Sequence, residues 1–137
     1  MGPASMRREH WELALHDAVI SAQHKPFAYG THDCATWAFD VRRHLTGIDT
    51  ASTWRGKYST EQGAGKWLRK LGCQTVRDLA NKYLGTPLSH VRLAQRGDIV
   101  LADDALGVCL GRKVALVGDD GLVQVSLRNC RAAWRVA

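Results

Sequence analysis

The residues with the clearest capacity for chemistry are Asp33 and Cys34, which stand where a helix is predicted to begin. Asp33 is a typical helix cap, and the spacing of Trp37, Val41 and Leu45 predicts the apolar face of the helix that follows. A thiol in the first turn lies at the positive end of the helix dipole, close to unpaired backbone N–H groups. Both effects favour the thiolate, so we expect a lowered pKa for Cys34 and a stronger nucleophile.

A cysteine nucleophile needs a base, and the chain has six histidines. Acyl transfer requires an imidazole that accepts a proton and later returns it. His32 precedes Cys34 by two residues and would have to fold back over the helix start, whereas His90 lies in the loop before the predicted strands. The remaining four lie on or beside predicted helices, where surface or structural roles are usual: His10, His16, His24 and His44.

Several segments carry a family resemblance. Residues 26–34 place an aromatic residue and a glycine before Asp-Cys, residues 96–101 join Gly-Asp to an apolar run, and residues 106–111 are an apolar run that ends in glycine. In this order they resemble the nucleophile segment and first strands of NlpC-type cysteine peptidases, which have a papain-like fold. With Trp-Arg-Gly-Lys-Tyr at 54–58 and Ala-Trp-Arg-Val at 133–136, the chain resembles more closely a set of small phage and prophage tail-region proteins. This resemblance spans nearly the whole chain.

The chain departs from the peptidase pattern at the residue that would act as the general base. The resemblance implies a histidine just before the strand at residues 106–111, and that position is Ala105, or Asp104 if the register shifts by one. The orienting polar residue would lie within residues 114–117, which are Val, Ala, Leu and Val. Without an imidazole, a thiolate cannot complete hydrolysis. We therefore expect Cys34 to be a vestigial nucleophile, unless His32 or His90 supplies the base.

The resemblance implies three alternative functions. The first is a non-catalytic structural component of a phage or prophage tail tip or baseplate, assembled in the bacterial cytoplasm, located in the virion tail and bound to other tail proteins. The second is a cysteine peptidase or amidase that cleaves peptidoglycan peptides during infection. The third is a module that binds a cell-wall peptide in the vestigial cleft beside Cys34.

Aromatic and cationic residues lie together in residues 54–58 and again near the C-terminus. Trp, Tyr and Arg are enriched at interface hot spots, and the candidate contact residues are therefore Trp54, Arg55, Tyr58 and Trp134. For the first segment an alternative is a loop folded back on the core, with Trp54 filling it.

Composition limits the remaining possibilities. The 137 residues suit one domain, and the net charge of +6 comes from scattered cations without a nucleic-acid-binding motif, so no specific nucleic acid is expected. The four cysteines lie far apart, without the paired spacing of zinc ligands, so we expect reduced thiols, no metal and no cofactor. No apolar run reaches the length of a membrane span. Residues 1–5 are interpreted as an appended or disordered segment, with Met6 as the natural start.

These residues must be positioned by an α+β fold, in which N-terminal helices pack on a C-terminal antiparallel sheet. Residues 7–85 carry helical periodicity, with breaks expected at Lys25-Pro26, Gly47, Gly72 and Gly85. Residues 97–136 are short β-prone runs separated by glycine and aspartate, and Asp119-Asp120 is a predicted hairpin turn.

Overall fold

The computed structural model describes residues 7–137, so the interpretation of residues 1–5 lies outside the described residues. Within them the chain forms four α-helices and then one five-stranded antiparallel sheet, which confirms the α+β class. The helices are α1 (Trp11–Ala22), α2 (Cys34–Thr46), α3 (Glu61–Lys70) and α4 (Val76–Leu84). The strands are β1 (Ile99–Ala102), β2 (Ala105–Cys109), β3 (Lys113–Gly118), β4 (Gly121–Ser126) and β5 (Ala132–Trp134).

The helix ends follow local chemistry. Asp33 caps α2 by accepting a 2.8 Å hydrogen bond from the Thr36 N–H, as the sequence predicts. Gly47 ends that helix in the left-handed conformation. One boundary was predicted too late: α1 ends at Ala22, before Lys25-Pro26.

The strands lie in the order β4-β3-β2-β1-β5. The β3–β4 hairpin turns through Asp119-Asp120, with Gly118 paired to Gly121, and this confirms the predicted turn. A tight turn at Asp103-Asp104 joins β1 to β2, where Ala102 pairs with Ala105. This turn brings Asp104 to the end of the sheet that faces the start of α2.

Both faces of the sheet are covered. Helices α1 and α2 pack together, and α2 lies against β2, so the main core forms between the helices and one sheet face. Its largest fully buried members include Leu15, Phe39, Leu45, Leu106 and Trp134. On the opposite face, a smaller cluster forms around Val100, Cys109 and Val114, under residues 88–94 and the turn Leu127–Asn129.

The Arg-Gly-Asp segment is a buried turn at the start of β1. Asp98 is fully buried, and its Oδ1 accepts hydrogen bonds from the Arg7 guanidinium (3.0 Å) and the Val136 N–H (2.9 Å). Its Oδ2 accepts from the Gln95 N–H at 2.8 Å and lies 3.5 Å from the Arg135 guanidinium. One carboxylate therefore joins the beginning of the described chain, the strand start and the C-terminus.

Candidate active-site cleft

Cys34 is the first residue of α2, and its sulfur lies against the start of β2, where it receives a backbone hydrogen bond from Leu106. The helix start and the second strand thus meet at the thiol. Backbone N–H groups of Cys34 and Ala35 also favour the thiolate, which is the effect expected from a helix N-terminus.

Burial nevertheless raises the pKa of Cys34, and the negative charge of Asp33 adds to the rise. The expected lowering of the pKa is therefore wrong. Desolvation outweighs the backbone N–H groups because a buried thiolate loses hydration that they replace only in part. At neutral pH the group is a thiol and a weak nucleophile.

A cleft of about 380 Å³ opens beside Cys34, between the start of α2, helices α3 and α4, and the β1–β2 turn. Apolar and aromatic side chains form most of its wall, among them Phe27, Tyr29, Tyr58, Trp67, Leu68 and Val76. Glu61 and Asp104 stand at its rim, and both side chains are exposed. The sequence predicted α3 as a helix, but its apolar spacing did not reveal that it forms a wall of this cleft.

The start of α2 is joined to residues 54–58 through Asp33. Its Oδ2 accepts hydrogen bonds from the Gly30 N–H at 2.8 Å and the Tyr58 hydroxyl at 2.5 Å. Burial and the Asp33 carboxylate raise the pKa of Tyr58, so its hydroxyl remains a donor. The Gly56 N–H also donates to the Gly30 carbonyl at 2.9 Å. Tyr58 therefore supports the cap of the cysteine helix, a role that sequence reasoning missed.

His32 lies away from the cleft. Only 3% of its surface is exposed, and it lines a separate concavity with Asp17, Lys25 and Asp40. Its Nε2 has no hydrogen-bond partner among the described residues. Burial, with a contribution from Lys25, lowers the pKa of His32 and favours the neutral ring. The structure does not bring His32 to the cleft as a base for Cys34.

His90 is exposed outside the cleft, where it caps the short turn Val91–Leu93. Its Nδ1 accepts a 3.0 Å hydrogen bond from the Arg92 N–H. It lines a pocket with Arg128 rather than the cleft. In the part of the chain that the structure describes, no histidine lines the cleft beside Cys34.

The two residues that the resemblance offers for the histidine position differ in whether they line the cleft. Asp104 lines the cleft, whereas Ala105 is absent from the described cleft wall. Residues 114–117 lie on β3 and are likewise not part of that wall. Among Asp104, Ala105 and residues 114–117, Asp104 is the one that lines the described cleft.

The candidate contact residues have structural roles. Trp54 is 2% exposed and packs edge-on against Phe39. Its Nε1 donates a hydrogen bond to the Thr36 hydroxyl at 3.1 Å. Trp54 therefore fills the core, as the alternative of a loop folded back on the core predicted. Arg55 forms ion pairs with Asp40 and Asp49.

Trp134 is fully buried, and its Nε1 donates to the Asn81 side chain at 3.0 Å. The prediction that Trp54 and Trp134 form a contact surface is therefore wrong, because both side chains are buried in the core. Arg55 is engaged by Asp40 and Asp49, and of the four candidates Trp54 and Tyr58 line the cleft, Trp54 with only 2% of its surface exposed.

All four cysteines are free thiols. Among residues 7–137, no three His, Cys, Asp or Glu side chains come together as metal ligands would. None of the described helices combines the length and apolar character needed to cross a membrane.

Comparison with known families gives one match. A family model described as Domain of unknown function (DUF6950) matches residues 6–136. No curated protein and no solved structure matches the sequence.

Proposed function

The chain belongs to the DUF6950 family, and we propose that it is a non-catalytic, NlpC-type component of a bacteriophage or prophage tail that acts through contacts with other tail proteins. The composition of the Cys34 cleft carries this proposal. No histidine of the described chain lines the cleft, and burial raises the pKa of the thiol. Cysteine hydrolases need both a thiolate and a base that returns the proton, so the cleft favours a role without catalysis.

The NlpC type is supported by the relation between the cysteine helix and the sheet. Cys34 begins α2, α2 packs on β2, and the backbone of Leu106 at the start of β2 reaches the sulfur. The resemblance implies this same pairing of nucleophile helix and second strand.

The tail role is supported by the segments that resemble tail-region proteins. These segments contact one another in pairs. Residues 54–58 contact residues 30–36. Residues 96–98 lead into β1, and β1 pairs with β5. Their residue types are thus explained by folding contacts. Neighbouring tail proteins would then bind surfaces outside these segments.

Phage particles provide the test. Mass spectrometry of tails purified from the phage or prophage that encodes the chain should detect it as a stoichiometric component. Deletion of its gene should give defective tails in electron micrographs. Complementation with native protein or with Cys34→Ala should restore tails and infectivity equally, because the thiol has no catalytic task.

Two results would reject the proposal in different ways. Absence of the chain from purified particles would reject the tail role. Normal tails with lost infectivity in the Cys34→Ala complement would instead indicate a peptidoglycan hydrolase, and the native protein should then release peptides from purified cell walls.

A second candidate function is binding of a cell-wall peptide, and the cleft itself favours it. An aromatic and apolar cleft of about 380 Å³ with two exposed carboxylates at its rim has the size and mixed character of a small-ligand site. Calorimetric titration with soluble muropeptides tests it. Heat of binding that Trp67→Ala removes would support this function, and no heat at millimolar ligand would exclude it.

A further inference from the structure

A second pocket gathers arginines from separate parts of the chain. It lies between the start of α4, residues 87–91 and the segment that leads into β5, and has a volume of about 410 Å³. We call it the arginine pocket; its polar side chains are Arg77, Ser89, His90, Arg128, Cys130 and Arg131. It shares none of these residues with the Cys34 cleft.

The charges of the arginine pocket are only partly balanced within the described chain. No carboxylate lines it, and neither Arg77 nor Arg128 has a carboxylate within 4.0 Å among residues 7–137. Asp78, next to Arg77 in sequence, accepts hydrogen bonds from the N–H groups of Gln74 and Thr75 instead. A bound anion would supply the partner that these two guanidinium groups lack.

Arg131 is only weakly engaged. Its guanidinium lies 3.5 Å from the Asp103 carboxylate, but both side chains are largely exposed. Such surface pairs contribute little and are readily replaced by a better partner. All three guanidinium groups are therefore accessible to a ligand.

The other polar groups are donors as well. His90 accepts the Arg92 N–H through Nδ1 at 3.0 Å, so a neutral ring carries its proton on Nε2. Ser89 adds a hydroxyl, and the Cys130 thiol is turned to the Ser126 carbonyl. A pocket of guanidinium, imidazole N–H and hydroxyl donors without a carboxylate matches an oxyanion.

We infer that the arginine pocket binds a phosphate group, carried by a small molecule or by a polymer. Arginine forks bind phosphate oxygens in bidentate geometry. Three guanidinium groups match the double negative charge of a phosphate better than the single charge of a carboxylate. This inference does not depend on the proposed function, because it concerns a different site.

Titration with inorganic phosphate tests the inference. At constant ionic strength, adjusted with sodium chloride, phosphate should raise the melting temperature saturably and give measurable heat of binding. Arg77→Gln and Arg128→Gln should each weaken binding about tenfold, since each removes a charge-assisted contact of about 1.4 kcal/mol. The matched control Arg69→Gln removes the same charge from an exposed position on α3 outside the pocket and should bind phosphate as the native protein does.

Arg77 and Arg128 are exposed, so each variant without ligand should melt at the same temperature as the native protein. Equal melting temperatures would show that the fold is intact. Equal weakening in Arg69→Gln would show a nonspecific charge effect and overturn the inference. So would tighter binding of a glutamate-rich peptide than of phosphate at the same pocket. Pyrophosphate and a polyphosphate chain distinguish a small-molecule ligand from a polymer. Equal affinity per phosphate group indicates a small ligand, and much tighter binding of polyphosphate indicates a polymer.

Discussion

At Cys34 two physical effects oppose each other within one residue. Backbone N–H groups of α2 and of Leu106 favour the thiolate, whereas burial and the charge of Asp33 favour the thiol. Burial is the largest of these effects because the cleft wall and β2 exclude the water that would solvate a charged sulfur. Position at a helix start is therefore not enough to activate a cysteine, and the side chains around the sulfur decide its reactivity.

The rate of Cys34 alkylation against pH should show this directly. Because the pKa of Cys34 is raised, the thiolate fraction at neutral pH lies below that of a free cysteine, and the midpoint of the rate should exceed about 8.5. Cys34→Ser serves as the control that subtracts the other three thiols. A midpoint below that of free cysteine would contradict both the raised pKa of Cys34 and the proposal that this residue is not catalytic.

Asp104→His should partly activate Cys34. Asp104 lines the cleft beside Cys34, and an imidazolium can stabilise a nearby thiolate, which a carboxylate cannot do. We expect alkylation of Cys34 at pH 7 to become about tenfold faster, which corresponds to a pKa lower by about one unit.

Ala105→His is the matched control, since Ala105 does not line the described cleft wall. It should change the alkylation rate much less than Asp104→His does. If the two variants acted in the reverse order, Ala105 rather than Asp104 would be the position from which an imidazole reaches Cys34.

At the scale of elements, the start of α2 depends on the loop of residues 54–58. Gly30 has φ +84°, and a Cβ there would lie 2.0 Å from the Tyr58 carbonyl oxygen. The two backbone segments approach so closely that only glycine fits. This contact brings Tyr58 to Asp33 and so fixes the cap of the cysteine helix.

Gly30→Ala should therefore destabilise the protein by about 3 kcal/mol, from left-handed backbone strain and the clash together. Gly56→Ala is the matched control, with φ +77° but no atom within 4 Å of its added Cβ. It should cost only about 1 kcal/mol. Urea unfolding measures both, and equal losses would show that the approach of Gly30 to Tyr58 is not a close contact.

At the scale of the whole molecule, Asp98 joins parts of the chain that are distant in sequence. Its carboxylate contacts Arg7, Arg135 and the backbone of Gln95 and Val136. A buried charge is tolerated when its partners supply both opposite charge and hydrogen bonds. Asp98 therefore links the first described residues and the C-terminal residues after β5 to one point at the start of the sheet.

Asp98→Asn should lower the free energy of unfolding by about 3 kcal/mol, because it leaves the guanidinium of Arg7, a largely buried side chain, without its carboxylate. The measurement is again urea unfolding, with an unchanged m-value if the two-state transition persists. Asp103→Asn, which removes a carboxylate from an exposed pair with Arg131, should change stability by less than about 0.5 kcal/mol. A loss at Asp98 as small as that at Asp103 would contradict the structural role.

Local signals were sufficient for the order of elements. The Asp33 cap, the glycines at helix ends and the aspartate turns predict four helices and then an antiparallel sheet, because capping and turn formation depend on residues close in sequence. The same signals place Cys34 at the start of α2. They overestimated the length of α1, since proline sets only the latest point at which a helix must end.

Tertiary packing decided the chemistry. Whether Cys34 is hydrated, whether Trp54 and Trp134 are buried, and whether His32 and His90 reach the cleft all depend on contacts between residues far apart in sequence. A side chain's pKa and exposure are set by every neighbour in three dimensions, and a single sequence does not specify those neighbours. The position of Cys34 at a helix start was therefore predictable, but the rise of its pKa through burial was not.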